Sequence, residues 1–351
     1  MPELMFAQWP ILALLAAFAV AAMIVLSSGL RMTALADELA DRTGLGEAIA
    51  GGLFLGVATS LGGTVVSVTA AYDGHASLAY SNSIGGIAAQ TAFLAIGDLA
   101  YRKANLEHAG AELANVFQSI VLIVLLTLPL IAVSLQEFAV LAVHPISLVI
   151  PVTYLGALVA TRRLRENPMW VPVSTTYSRT DTPEQTSDRD GGTSMWRLLA
   201  VFLLLVVMMG TSGWVIAGVS VEAIGRFALS ESLVGALATA VVTSLPELVT
   251  TLAAIRRGAL QLAIGGIIGG NTFDTLFLTA ADVFYRDGSL YHAVGLDSHF
   301  WTVVSILMTA ILLAGLVLRQ RAGPGRIGFE SLAILLIYAG ATTLQTTIGS
   351  G

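Results

Sequence analysis

Cysteine is absent from the 351 residues, so no disulfide can form and no thiolate can hold a metal. Charge is scarce too. Asp, Glu, Lys and Arg together make up 11%, and 17 bases against 23 acids leave a net charge of −6. Nucleic acid demands a basic patch, so no nucleic-acid partner is expected. Apolar residues fill the chain instead, at 56%, with a mean hydropathy of +0.82. That is far above soluble usage and indicates an all-α polytopic membrane protein.

Apolar runs of about 20 residues mark candidate spans. Ten are read, at 9–30, 46–71, 76–100, 113–134, 141–160, 196–218, 230–255, 258–284, 299–318 and 328–348. The first lacks the basic start and small-residue cleavage site of a signal peptide, so it reads as a mature span. With both termini outside, fifteen of the Lys and Arg residues fall on the cytoplasmic side, and only Arg226 and Arg286 fall outside. That asymmetry is the positive-inside pattern, and a prokaryotic cell membrane is the expected location. Residues 161–195 are polar and carry Pro168, Pro172, Pro183 and Gly191-Gly192. They read as a disordered cytoplasmic linker. Short loops elsewhere leave no room for a soluble catalytic domain, so no enzyme is expected.

The chain repeats itself. A shift of 184 residues lays Glu47–Asp98 on Glu231–Asp282 without a gap, with 19 of 52 positions identical. Thr59-Ser60-Leu61 falls on Thr243-Ser244-Leu245, Ile84-Gly85-Gly86 on Ile268-Gly269-Gly270, and Asp98 on Asp282. Upstream, Glu38 meets Glu222 and Arg42 meets Arg226. The halves are thus residues 1–160 and 196–351, joined by 161–195. Five spans per half is odd, so the second half enters from the opposite side. Ten helices as two inverted five-helix repeats is the architecture of many secondary transporters, which bind their ions near the midplane.

Glu247 and Asp274 lie within apolar runs. A carboxylate at bilayer depth costs roughly 2.5–3.5 kcal/mol on insertion scales, so two of them need a function. Each stands beside a helix breaker, Pro246 for Glu247 and Gly269-Gly270 for Asp274. Breakers free backbone carbonyls, which are tolerated at depth only inside protein or beside a wet cavity. Thr239, Thr243 and Glu247 share one helix face, as do Gly266, Gly270 and Asp274. Gly at i, i+4 lets helices approach, and Asn271 is expected to brace the broken backbone. The first half keeps the pattern without the charge: Gly62 aligns with Pro246, Gly63 with Glu247, Ile87 with Asn271 and Gln90 with Asp274. Breaks are expected at Gly62-Gly63 and Gly85-Gly86 too. Candidate cation ligands are Glu247, Asp274, Thr243, Asn271, Thr59 and Gln90, with Ser244, Asn82 and Ser60 behind them. The bland alternative is that both acids are neutral and only hydrogen-bond between helices. His75, His108, His144, His292 and His299 read as solvated loop residues, and Asp98 and Asp282 as helix-end polarity.

These residues resemble the sodium/calcium exchanger family of the cation/calcium antiporter superfamily. The runs Thr243-Ser244-Leu245-Pro246-Glu247 and Gly269-Gly270-Asn271-Thr272-Phe273-Asp274 look like its second alpha repeat, and Gly44 to Leu61 looks like the lead-in to its first. The resemblance implies alternating-access exchange of Ca2+ for Na+ or H+, with Glu247, Asp274, Thr243 and Thr59 as ion ligands. It departs at Gly63, where the family has a Glu, at Gln90, where it has an Asn or an acid, and at Gly86 and Gly270, where it has a Ser. The alternatives are a monovalent Na+/H+ or K+/H+ antiporter and a non-transporting ion sensor or scaffold. Inorganic cations and the lipid bilayer are the expected partners. No cofactor is called for beyond the transiently bound cations, and a homo-oligomer is left open.

Overall fold

The computed structural model describes residues 5–43, 47–101, 103–178, 194–323 and 327–348, with the side chains of 36–58 outside that description. Arg102, Arg179, Arg189 and Arg326, and the side chains of Glu38 and Arg42, therefore lie outside the described residues. In the first half the helices are α1 Ile11–Thr43, α2 Glu47–Tyr72, α3 Ala76–Ala100, the short α4 Leu106–Ala109, α5 Leu113–Ser134 and α6 Ile146–Glu166. The second half holds α7 Met195–Phe227, α8 Glu231–Thr243, α9 Leu245–Arg257, α10 Leu260–Asp274, α11 Leu276–Phe284, the short α12 Leu290–Ala293, α13 Leu296–Leu318 and α14 Phe329–Ile348. Among the described residues there is no strand beyond an isolated bridge between Val140 and Val143.

Among the described residues, seven helical stretches are long and apolar enough to cross a membrane, and eight if α8 and α9, bent by 47° at their junction, make one span. One of the seven is Leu260–Phe284, formed by α10 and α11. Ten spans are expected; α14 falls outside this set, and the side chains of α2 are described only from Thr59 onward.

Burial sorts the helices into an inner and an outer group. The apolar window of α3 is 83% buried and that of α10–α11 61%, whereas α1 reaches only 22%. The sequence of α3 explains its place, because Ala, Ser and Gly recur on every side and admit neighbours closely. A Cβ at Gly85 would overlap Ala236 of α8, and one at Gly235 would lie 2.8 Å from the Leu78 carbonyl of α3. On the outside, α1 and α7 pack against each other and α2 through Val25, Met32, Val66, Leu205 and Met209. Their far faces, with Leu12, Leu15, Leu203 and Leu204, are exposed, as suits helices with lipid around them.

Two aspartates organise the ends of the inner helices. Asp98, in the last turn of α3, accepts the Leu106 N–H at 2.7 Å and the Gly328 N–H at 2.9 Å. Asp282, in the last turn of α11, accepts the Leu290 N–H at 2.8 Å and the His144 N–H at 2.8 Å. Leu290 and Gly328 sit 184 positions after Leu106 and His144. Each aspartate thus ties the short helix of its own half to the approach of a long helix in the other half. Both are fully buried, so they are structural caps rather than the simple polarity at span ends that the sequence suggests.

The linker reading needs correction at its start. Helix α6 continues to Glu166, and 173–178 bonds to the protein at several points. Thr175 Oγ1 meets His108 Nε2 at 3.0 Å, Arg319 Nη1 donates to the Val173 carbonyl at 2.7 Å, and the Arg321 guanidinium lies over the Tyr177 ring. Polar composition alone hid these contacts, because their partners, His108, Arg319 and Arg321, are far away in sequence. The rest of the linker, 179–193, lies outside the described residues.

Candidate functional site

Helices α2, α3, α8–α9 and α10 bring the candidate residues together. Asp274 ends α10, and Thr275 interrupts the helix before α11 begins at Leu276. Its carboxylate accepts from Ser60 Oγ at 2.6 Å and from Gln90 Nε2 at 2.6 Å. Gln90 Nε2 also donates to Ser244 Oγ at 3.3 Å. Ser60 and Ser244 are equivalent positions in the two halves, and so are Gln90 and Asp274. The pair Ser60–Asp274 is thus the counterpart of the pair Ser244–Gln90.

Glu247 stands in the first turn of α9, just past the Ser244 break, is 5% exposed, and lies in the field of Asp274. Pro246 explains the break. It lacks an N–H, so it suits the first turn of a new helix and not the interior of a continuous one. Helix α1 makes room for it at Gly29, where a Cβ would lie 2.7 Å from the proline ring. The Thr59 hydroxyl hydrogen-bonds the Glu247 carboxylate. On the other side, Thr243 Oγ1 would lie 3.4 Å from a Cβ at Gly63, while the Phe277 ring would be only 2.9 Å away. An aromatic ring therefore occupies the space that an acid at position 63 would need.

Other candidates brace rather than face the acids. Asn82 Nδ2 donates to the Gly63 carbonyl at 3.0 Å and to Ser67 Oγ at 2.9 Å, and its Oδ1 accepts from Thr239 Oγ1 at 2.7 Å. Thr239 closes a π-helical stretch, Val234–Thr239, a local irregularity frequent at functional sites. Thr243 donates to the Thr239 carbonyl at 2.9 Å, within its own helix. Asn271 Nδ2 reaches Thr91 Oγ1 at 3.0 Å, so it links α10 to α3 and does not brace a break.

The expected glycine breaks are not there. Gly62 and Gly63 lie inside α2, Gly85 and Gly86 inside α3, and Gly269 and Gly270 inside α10. The observed interruptions fall at Ser244, beside Pro246, and at Thr275. A glycine alone costs a helix only about 1 kcal/mol, which close packing easily offsets. Some of these glycines line the site instead. A Cβ at Gly86 would lie 3.5 Å from Ser244 Oγ and 3.8 Å from Asp274 Oδ2, and one at Gly270 3.3 Å from Gln90 Oε1. Gly265 packs on Asn115, while nothing approaches Gly266.

Several buried oxygens at and around these residues have no hydrogen-bond partner: Gln90 Oε1, Glu247 Oε2, Asn271 Oδ1 and Gln118 Oε1. Gln118 and Tyr154, which lies in the field of Asp274, were missed in the sequence. The available signal was a polar group in the middle of an apolar run, on α5 and α6 respectively. The histidines also differ from the solvated-loop reading. His108, His144 and His299 are buried, and His75 pairs with Glu231 at 2.6 Å. His292 and His299 hydrogen-bond Ser289 and Tyr80, and among the described residues no three His, Asp or Glu converge as a metal site.

The model of the sodium/calcium exchanger protein family matches residues 13–162 and 196–347, one match in each half. Inner membrane protein YrbG of Escherichia coli (strain K12) is 33% identical over 138 residues, 39% of this chain and 41% of that protein. The protein described as "Putative antiporter CaxA" of Alkalimonas amylolytica is 30% identical over 148 residues, 42% of this chain and 43% of that protein. The matched stretch thus spans about two fifths of each relative's length. Among solved structures, the H+/Ca2+ exchanger CAX superposes with a TM-score of 0.69 at 13% identity, covering 99% of this chain and 87% of that one. The sodium-calcium exchanger NCX_Mj does so with 0.58 at 14%, covering 95% and 99%. At such identities these two likenesses speak for the fold alone, whereas the family model matches most of the sequence. The chain belongs to the sodium/calcium exchanger protein family.

Proposed function

We propose that the chain is a secondary cation antiporter that exchanges Ca2+ for H+ or Na+ at the Glu247–Asp274 centre. The buried, unpartnered oxygens of Glu247, Gln90 and Asn271 carry this reading. A buried acceptor left without a donor costs about 1–3 kcal/mol, and a cation relieves that cost where a donor does not exist. The two relatives, one an inner membrane protein and the other described as an antiporter, are consistent with it.

In this reading ten helices cross the bilayer, with α2 and α14 among them, as two five-span halves in opposite orientation. The termini are outside and the linker is cytoplasmic. The cross-half pairs Ser60–Asp274 and Ser244–Gln90 support a site on the axis between the halves. Tags at the C-terminus and within 180–190 should then be accessible from opposite sides of the membrane.

Charge sets the stoichiometry. Two carboxylates balance one divalent ion or two monovalent ions, and surplus charge in a low-dielectric site is expensive. Exchange is therefore electroneutral, with at most two monovalent ions per Ca2+. The Phe277 ring beside Gly63 favours this count, since it fills the place of a further acid. One-for-one monovalent exchange is the second reading, favoured by the same shortage of charge. Purified protein in liposomes, loaded with Na+ or acid and clamped with valinomycin at several potentials, tests both readings. Calcium uptake that ignores the clamp supports the first. Monovalent exchange without calcium movement supports the second, and movement of three Na+ per Ca2+ overturns both. Silence for all three ions leaves the sensor or scaffold reading.

A further inference from the structure

A second group of acids lies at the end of the molecule that the basic residues assign to the cytoplasm, apart from the Glu247–Asp274 centre. Asp98 is 0% exposed, Glu107 1% and Glu330 0%. Asp98 spends its two oxygens on the N–H groups of Leu106 and Gly328. Glu107 and Glu330 differ, because all four of their carboxyl oxygens are buried and meet no donor. Yet the two carboxyls lie within hydrogen-bonding reach of each other, and Asp98 adds a further negative field. Two acceptors facing each other repel. A proton between them turns the contact into a bond.

The place is built for Glu330. A Cβ at Gly315 would lie 2.6 Å from Glu330 Cγ, and one at Gly328 would overlap the carboxyl itself. The end-capping architecture does not require the acids. At the opposite end Asp282 has the equivalent backbone bonds, but Tyr291 stands at the position of Glu107 and Ile146 at that of Glu330. Described cations nearby are engaged elsewhere. Arg319, capping α13, donates to the carbonyls of Val173 and His108 and to Ser178 Oγ, and Arg321 lies on Tyr177. His108 Nδ1 meets the Arg319 carbonyl at 2.6 Å. From α3 comes Asp98 and from α14 Glu330, while α10 brings Leu260 and Ile264 against Gly110 at the end of α4. Burial, with Asp98 and Glu330 adding to it, holds the Glu107 carboxyl well above the usual carboxylate range.

We propose that Glu107 and Glu330 form a second cation-holding site whose ligand is a single proton shared between the two carboxyls. Loss of that proton sets three buried negative charges side by side and pushes α4 and α14 away from the end of α3, the helix that carries Gln90 and Asn82 to the ion centre. The site makes the stability of this end depend on cytoplasmic pH.

The test needs no transport. Detergent-solubilised protein is compared with Glu107→Gln, Glu330→Gln and the double variant by thermal unfolding across pH and by infrared spectroscopy in H2O and D2O. Glutamine keeps the shape and a donor, so these variants imitate the protonated pair. The expected wild-type stability falls as pH rises above the ordinary glutamate range, about tenfold in the folding equilibrium per pH unit for one proton, and either variant flattens that limb. Each single variant should remove the same protonated-carboxyl band, and the double variant no more. A band that survives in both single variants overturns the proposal. So does a pH limb unchanged in either variant, or a wild type rescued at high pH by Na+, K+ or Ca2+ when the variants are not, which would make the ligand a metal ion.

Discussion

Gln90 Nε2 donates to Asp274 Oδ2 at 2.6 Å, and the two residues are 184 positions apart, the period of the repeat itself. Equivalent positions of the two halves therefore touch, as they must if they face each other across an axis. One side of the pair kept a carboxylate and the other an amide. The amide donates the proton that a second acid would have to acquire from solution.

Replacing that amide should change the ion count. Gln90→Glu removes the donor and sets a third carboxylate against Asp274. It should add one monovalent ion, H+ or Na+, to each transport cycle. In clamped liposomes, exchange that ignored the potential should become potential-dependent. An unchanged response would place Gln90 outside the ion centre.

The acid itself should be indispensable. Glu247→Gln should abolish exchange with little loss of fold, since its Oε2 has no donor to lose. Thr59→Val removes the hydroxyl that bonds Glu247 and should weaken ion binding by about tenfold, the worth of a hydrogen bond to a charged group. Isotopic calcium uptake against concentration measures both.

Restoring an acid at position 63 should fail alone. A Cβ there lies 2.9 Å from the Phe277 ring, so Gly63→Glu should destabilise by about 1–3 kcal/mol as an overpacked core. Phe277→Ala alone opens a cavity and costs about 3–5 kcal/mol. Together the two changes should cost less than their sum, which unfolding temperatures of the four proteins would reveal.

Both capping aspartates should be structural, Asp282 the more strongly. Asp282→Ala strands the N–H groups of Leu290 and His144, and each buried donor without a partner costs about 1–3 kcal/mol. Asp98→Ala strands those of Leu106 and Gly328 but also removes a charge beside Glu107, so its net loss should be smaller. Thermal unfolding at neutral pH compares them.

Acid should weaken the end of the molecule that holds His144. Burial lowers its imidazole below the usual histidine range, and its Nδ1 accepts the Ile146 N–H at 3.1 Å. The unfolded chain takes up a proton below about pH 6.5 while the folded histidine does not, so stability should fall as pH falls through that value. His144→Asn should flatten this acid limb. A limb unchanged in the variant would assign it to another group.

The sequence by itself determined the class, the repeat and the acids. Hydropathy and the positive-inside asymmetry depend on composition along a line, and a bilayer reads them that way. A shift of 184 residues is visible without coordinates, and so is the oddity of Glu247 and Asp274 in apolar runs. Tertiary structure decided what depends on distance between remote segments. It placed the breaks at Ser244 and Thr275 and kept the glycines helical, because a glycine breaks a helix only where packing fails to support it. Gly63 faces the Phe277 ring, and Thr59, not Thr243, hydrogen-bonds Glu247. Glu107 and Glu330, far apart in the chain and unremarkable in it, share one buried spot, since carboxyls at two helix ends meet only after the helices pack.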